Sequence, residues 1–158
     1  FAIHNECLLP PEVFHRLSNP IIHLIRNSMD HGIESPELRD KAGKNTIGNI
    51  SLSGNVEKGT YVITLTDDGA GISESALKQS ALAKGIITAE QELSSSELKM
   101  MIFQPGFSTK ESVSDISGRG VGLDSVKAGI EELGGEITVH NNPGKGISFV
   151  LKIPSLTR

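Results

Sequence analysis

The chain has 158 residues, enough for one domain with a substantial apolar core. Nineteen acidic against fifteen basic side chains give a net charge of −4, and no basic patch is visible, which speaks against nucleic acid as a partner. The single cysteine, Cys7, excludes an internal disulfide or a cysteine-built zinc site and fits a reducing, cytoplasmic setting, and no apolar run approaches the roughly 18 residues needed to cross a bilayer.

Residues 1–9 carry no clear periodicity and read as a residual linker ahead of a single domain. Because the chain lacks an initiating Met and stops just after Pro154, it reads as a piece of a longer protein. Val13, Phe14 and Leu17 at helical spacing predict a short helix over 10–17, which Pro20 then breaks. A second helix is predicted over 20–31, with Asn19 as its N-cap, Pro20 in its first position and Gly32 as a left-handed cap.

At about 100° per residue, His23, Arg26, Asn27, Asp30 and His31 share one stripe of that helix, while Ile21, Ile22, Leu24, Ile25 and Met29 lie on the other and read as core. A solvated stripe usually carries Lys, Glu and Gln. This one carries an amide, two imidazoles, a guanidinium and a carboxylate, groups that grip phosphates or ligate a metal. An amide oxygen can supply one ligand to Mg²⁺, which takes the rest from waters and nucleotide phosphates, and Asn27 is the candidate. An ordinary polar helix face is the alternative.

A one-to-two-turn helix is predicted over 35–43, capped by Ser35 and started by Pro36. Strands follow over 48–53 and 60–67, joined by a hairpin turn at 57–59. In the second strand Tyr61, Ile63, Leu65 and Asp67 share a face, so Asp67 lies at the mouth of the core and must meet a donor. The turn Asp67-Asp-Gly69-Ala-Gly71-Ile72 lets a planar ring approach the backbone closely.

Helices are predicted over 74–84 and 95–103, with Leu93, Leu98, Met101 and Ile102 in the core. The apolar pattern then lapses over 104–122, the signature of a lid or binding loop, and ends in Gly118-Arg119-Gly120-Val121-Gly122 directly before a helix over 123–133. Glycines leading into a helix N-terminus present amide donors suited to phosphates. Two strands, 136–140 and 147–153, close the chain through a turn at 141–146. This order predicts one layer of helices on one mostly antiparallel sheet. His4, His15 and His140 show no metal-ligand spacing.

Asn27, Asp67-x-Gly69-x-Gly71, Gly118-x-Gly120-x-Gly122 and Gly144-x-Gly146, in this order, resemble the four boxes of the GHKL ATP-binding (Bergerat) fold across about residues 10–154. The stretches 23–34, 105–110 and 117–124 are similar to those of the CheA family of chemotaxis histidine kinases. The resemblance implies an α+β two-layer sandwich with a mixed, mostly antiparallel sheet and helices on one face. It implies ATP and Mg²⁺ as cofactors, with Asn27 as the metal ligand. His23, Arg26, Asp30 and His31 would line the phosphate end, and Asp67 would accept from the adenine amino group over Gly69, Gly71 and Ile72. Ser108, Thr109 and Lys110 would lie in the lid, and Gly118, Arg119, Gly120, Val121, Gly122 and Leu123 would hold the triphosphate.

Guanine offers a carbonyl where adenine offers an amino group, so ATP is expected over GTP. In the fold generally a threonine often follows the last glycine box; this chain has Ile147, then Ser148. The activity implied is transfer of the γ-phosphoryl of ATP to a histidine on a separate phosphotransfer domain. A response regulator would lie downstream, and receptor and coupling proteins would bind through other regions of a parent protein that is homodimeric through another domain. The alternatives are an ATP-hydrolysing clamp of the gyrase B or MutL kind and a catalytically silent nucleotide-binding module. In the clamps a glutamate precedes the Asn by four residues, where this chain has His23.

Overall fold

The computed structural model describes residues 2–4, 9–107 and 122–155. In chain order these form β1 (Ala2–His4), α1 (Pro11–Asn27), a π-helical turn (Ser28–Gly32), α2 (Pro36–Lys41), β2 (Ile50–Glu57), β3 (Thr60–Asp67) and α3 (Glu74–Ala83). Then come α4 (Ser95–Met100) with a 3₁₀ turn (Met101–Phe103), α5 (Leu123–Glu131), β4 (Glu136–Asn142) and β5 (Gly146–Pro154). No helix among the described residues is long and apolar enough to cross a membrane.

The strands make one five-stranded sheet in the order β1-β2-β3-β5-β4. Every pairing is antiparallel except β1 on β2, so the expected mixed, mostly antiparallel sheet is present. Within residues 1–9, expected as linker, Ala2–His4 form the edge strand. The turn at Lys58 and Gly59 has positive φ at both residues, the geometry that matches strand twist in a two-residue hairpin.

The helices cover one face of the sheet. Tyr61, Ile63 and Leu65 of β3 and Phe149, Leu151 and Ile153 of β5 point under them, as the period-two pattern predicts. From above, Leu17 and Leu24 of α1 and Val126 and Ile130 of α5 complete the core. The Phe103 and Phe149 rings meet edge to face at 6.3 Å, which ties the 3₁₀ turn to the sheet. Leu98 and Ile102 are buried and Leu93 and Met101 pack against the core, as expected.

The N-terminal helices differ from the sequence expectation. The two predicted helices are one: Pro20 lies inside α1, Asn19 caps nothing, and the helix runs on to Asn27. A proline in a helix interior costs about 3 kcal/mol. Leu17 and Leu24, both fully buried on the same face, each return about 1.5–3 kcal/mol. Pro20 is itself buried toward α5, where a side chain on Gly129 would stand 3.4 Å from its ring. Packing therefore outweighs the local break.

Two further expectations for this region fail. Gly32 does not take a left-handed cap; the chain passes through a wider turn closed by Ile33 N–H donating to the Ser28 carbonyl at 2.8 Å. Ile22 and Met29, read as core, are 54% and 63% exposed. They project from the side of α1 opposite Leu17 and Leu24, because the core side of this helix is set by Val13, Leu17, Leu24 and Ser28. At α2, Ser35 holds the N-cap position without the side-chain cap bond expected of it.

Candidate functional site

β3 delivers Asp67 to the end of the sheet on its buried face, 3% exposed. A buried carboxylate without donors costs several kcal/mol, and this one has two inside the chain. Ser28 Oγ donates to Oδ2 at 2.7 Å, and the Gly69 N–H donates to Oδ1 at 3.0 Å. Ser28 follows Leu24 by four residues on the core face of α1, which brings it there, and the π-helical turn begins at it, as such turns often do at functional sites.

The turn after Asp67 is pressed against its neighbours at backbone distance. A Cβ on Gly69 would run into the Gly32 carbonyl, and a Cβ on Gly32 would stand 3.1 Å from Asp67 Oδ2. The Gly32 carbonyl accepts from Ala70 N–H at 2.9 Å. The first of these contacts requires glycine at position 69, and the second leaves a side chain at position 32 little room beside Asp67. Gly71 has φ +68, and a Cβ there would lie 2.8 Å from the Asn142 carbonyl.

The β4–β5 hairpin holds the far side of the same turn. Asn141 accepts from Ile72 N–H at 2.7 Å and donates to the Ile72 carbonyl at 2.7 Å. Gly144 N–H donates to the Ala70 carbonyl at 2.6 Å. Ile147, at the position where the fold often has threonine, is buried, and Ser148 Oγ is bonded to Thr66 Oγ1 at 2.8 Å.

Beneath the turn sits an ionic cluster that the sequence reading missed. Arg39, 1% exposed, donates to Glu34 at 3.1 Å, to the Asp68 carboxylate at 2.9 Å, to the Asp68 carbonyl at 3.1 Å and to the Asn45 carbonyl at 2.6 Å. Lys44 donates to Glu34 at 2.7 Å and to the carbonyls of Asp68 and Gly69 at 3.0 and 2.8 Å. Burial opposes the charge on Glu34, but the Lys44 hydrogen bond, a backbone N–H and the charges of Lys44 and Arg39 outweigh it, so its carboxyl titrates below the usual range. A cleft of about 390 Å³ beside the cluster is lined by Arg39, Lys44, Asn45, Asp68 and Lys145 among others.

The stripe predicted on α1 splits. His23 and Asn27 are half-buried, whereas Arg26, Asp30 and His31 are exposed. Arg26 and Asp30 border a groove of about 340 Å³ with Ile22, Ile25 and Met29. Burial lowers the His23 pKa, the Arg26 guanidinium lowers it further, and the Asp124 carboxylate on the first turn of α5 opposes both. The imidazole is therefore neutral at pH 7. Gly122 holds the N-cap position of α5 and Leu123 begins it, and the helix packs on α1 with Asp124 of its first turn acting on His23.

Asn27 is unusual. Among the described residues its Nδ2 is the buried side-chain atom that has no hydrogen-bond partner. An unpaired buried polar group costs about 1–3 kcal/mol unless something else satisfies it. The orphaned Nδ2 is a donor and fits an acceptor such as a phosphate oxygen, while the carbonyl oxygen of the same amide is of the type that Mg²⁺ takes. Among the described residues no group of three His, Cys, Asp or Glu side chains could hold a metal by itself.

Asn27, Asp67, Gly69, Gly71 and Ile72 thus come together around one end of the sheet, linked by Ser28 and Gly32. Ser108, Thr109, Lys110, Gly118, Arg119, Gly120 and Val121 lie outside the described residues. Beyond the residues expected, Ser28 holds Asp67, and Glu34, Arg39, Lys44, Asp68 and Asn141 brace the turn from outside. The requirement that a buried Asp67 find donors was a signal for Ser28 alone.

A family model described as histidine kinase-, DNA gyrase B-, and HSP90-like ATPase matches residues 16–157. The chain is 46% identical over 142 residues to the chemotaxis protein CheA of Rhizobium meliloti, covering 90% of this chain and 19% of that protein. It is 44% identical over 146 residues to that of Klebsiella aerogenes, covering 92% and 22%. It therefore spans about a fifth of the length of these relatives. The histidine kinase domain of the Erythrobacter litoralis EL346 blue-light activated histidine kinase shares the fold, with TM-score 0.56 at 17% identity over 97% of this chain and 50% of that one.

Proposed function

The chain belongs to the histidine kinase-, DNA gyrase B- and HSP90-like ATPases, and from that premise we propose that it is the ATP-binding catalytic domain of a CheA-like protein-histidine kinase. It passes the γ-phosphoryl of ATP to a histidine on a separate phosphotransfer domain, for onward delivery to a response regulator in chemotaxis-type signalling in the cytoplasm. Receptor and coupling proteins, and dimerisation, belong to other parts of the parent protein.

The observation that carries this reading is the pairing of a buried, half-satisfied carboxylate at Asp67 with the orphaned amide of Asn27, one residue before the Ser28 that holds Asp67. The adenine amino group would donate to the Asp67 carboxylate, which two internal donors leave with acceptor capacity to spare, and the ring would lie over Gly69, Gly71 and Ile72. The phosphates run toward α1 and the start of α5. There Asn27 would hold Mg²⁺ through its amide oxygen, and His23, Arg26, Asp30 and His31 would line the phosphate end.

When bound, the metal screens the phosphate charge. The acceptor imidazole nitrogen forms the new bond to the γ-phosphorus as the bond to the β-phosphate oxygen breaks, and ADP leaves. The chain supplies position and charge, not a nucleophile. His23 stands where a hydrolytic relative would place a glutamate, and its neutral imidazole can act as a base, so hydrolysis is the competing reaction that must be separated from transfer.

Incubation with ATP labelled in the γ-position, with and without a histidine phosphotransfer domain, tests this. Label on the acceptor is the expected result. Inorganic phosphate alone, or bound ATP with neither product, would overturn it in favour of a hydrolase or a silent module.

A further inference from the structure

Arg39 and Lys44 grip the same peptide group that holds Asp67. The carbonyl of Asp68 accepts from Arg39 at 3.1 Å and from Lys44 at 3.0 Å. The other end of that planar unit is the Gly69 N–H, which donates to Asp67 Oδ1 at 3.0 Å. The next peptide repeats the device, with the Gly69 carbonyl on Lys44 at 2.8 Å and the Ala70 N–H on the Gly32 carbonyl at 2.9 Å.

Two cations on one side of a rigid plane thus fix the direction of the N–H on the other side, and they polarise it toward the carboxylate. Arg39 also locks the Asp68 side chain at 2.9 Å, while Asn49 N–H donates to the second Asp68 oxygen at 2.8 Å. Glu34 bridges the two cations, accepting from Arg39 at 3.1 Å and Lys44 at 2.7 Å. The cluster reaches Asp67 only through the backbone.

We propose that Arg39, Lys44 and Glu34 are positioning residues for base selection: they aim the Asp67 carboxylate at the purine and so set the preference for ATP over GTP without touching the nucleotide. This rests on the reading of Asp67 as the adenine acceptor. Releasing the Asp68–Gly69 peptide frees Asp67 to turn, and a turned carboxylate distinguishes an amino group from a carbonyl less well. The phosphate end on α1 shares none of these bonds.

The test compares the affinities of this chain for ATP, GTP and inorganic triphosphate by competition with a fluorescent nucleotide. Wild type, Lys44→Met, Glu34→Gln and the conservative Lys44→Arg are measured together, with thermal unfolding recorded for each. Lys44 and Glu34 are partly exposed, so their substitution leaves the core intact. The expected result is a fall of about tenfold in the ATP:GTP ratio in Lys44→Met and a smaller fall in Glu34→Gln. Recovery is expected in Lys44→Arg, with triphosphate affinity unchanged throughout. A wild-type preference for ATP that survives unaltered in Lys44→Met and Glu34→Gln overturns the proposal while leaving the role of Asp67 standing. A uniform loss of affinity for all three ligands also overturns it, since that is the mark of general destabilisation. Equal affinity of the wild type for ATP and GTP would instead refute the reading beneath it.

Discussion

The two ends of the candidate site treat their buried polar groups in opposite ways. At the Asp67 turn the carboxylate has Ser28 and Gly69, the carbonyls of Asp68 and Gly69 have Arg39 and Lys44, and Ile72 has Asn141. At the end of α1, one residue before the Ser28 of that network, the Asn27 amide nitrogen is buried with no partner among the described residues. The Asp67 turn is held in shape by the chain itself before any ligand arrives, with acceptor capacity left on the carboxylate, which suits discrimination between purines. The phosphate end is left to be completed by what binds, which suits a group that must let its product go.

The contrast can be broken most severely at Asn27. Asn27→Ala is expected to lower Mg²⁺-dependent transfer by about 10²–10³-fold while retaining some ATP binding, as measured by single-turnover labelling of the acceptor. Its thermal stability should stay level or rise, because the substitution removes an unsatisfied buried group. Wild-type transfer from this variant would remove the metal role.

Asp67→Ala should act in the opposite manner. It strands Ser28 Oγ and the Gly69 N–H and deletes a charge-assisted bond worth about 1.5–3 kcal/mol, so ATP binding should weaken by about tenfold to a hundredfold and selectivity over GTP should vanish in a calorimetric titration. Gly69→Ala sharpens the same point without touching a functional group. Its methyl would collide with the Gly32 carbonyl, and a loss of about 1–3 kcal/mol in denaturant unfolding is expected.

The sheet was legible in the sequence because period-two alternation states both the strand and its buried face: 60–67 was read with its bounds and its Asp67 in place. The N-terminal helix was not. Pro20 is a local signal and Leu17, Leu24 and Gly129 are a tertiary one, and no rule of local propensity reveals which prevails. The same limit hid the exposed Ile22 and Met29, since the core side of a helix is set by what packs on it. The glycines of the site could be read as a pattern, but Gly32 was assigned a cap where the fold sets it against Gly69 and Asp67. Arg39 and Lys44 sat in what looked like an ordinary short helix and loop, and only the fold brings them under the turn, 29 positions along the chain from Arg39 to Asp68.

The smallest expected effect concerns His23. Its pKa is held below the ordinary value of 6.5 by burial and by Arg26, so the unfolded chain binds the proton more readily than the folded one. The stability this contributes is present above pH about 6.5 and is lost as pH falls through the folded value. Unfolding midpoints of His23→Gln should therefore fall less steeply than those of wild type on acidification across that window. Parallel profiles would contradict the assigned environment.

The central claim is that a carboxylate fixed at the end of β3 selects adenine while the phosphates are held on α1. Calorimetric titration of this chain with the magnesium complexes of ATP and GTP measures it most directly. The account predicts saturable ATP binding and GTP binding weaker by about tenfold or more. Equal affinities, or no uptake of either at millimolar concentration, would contradict it.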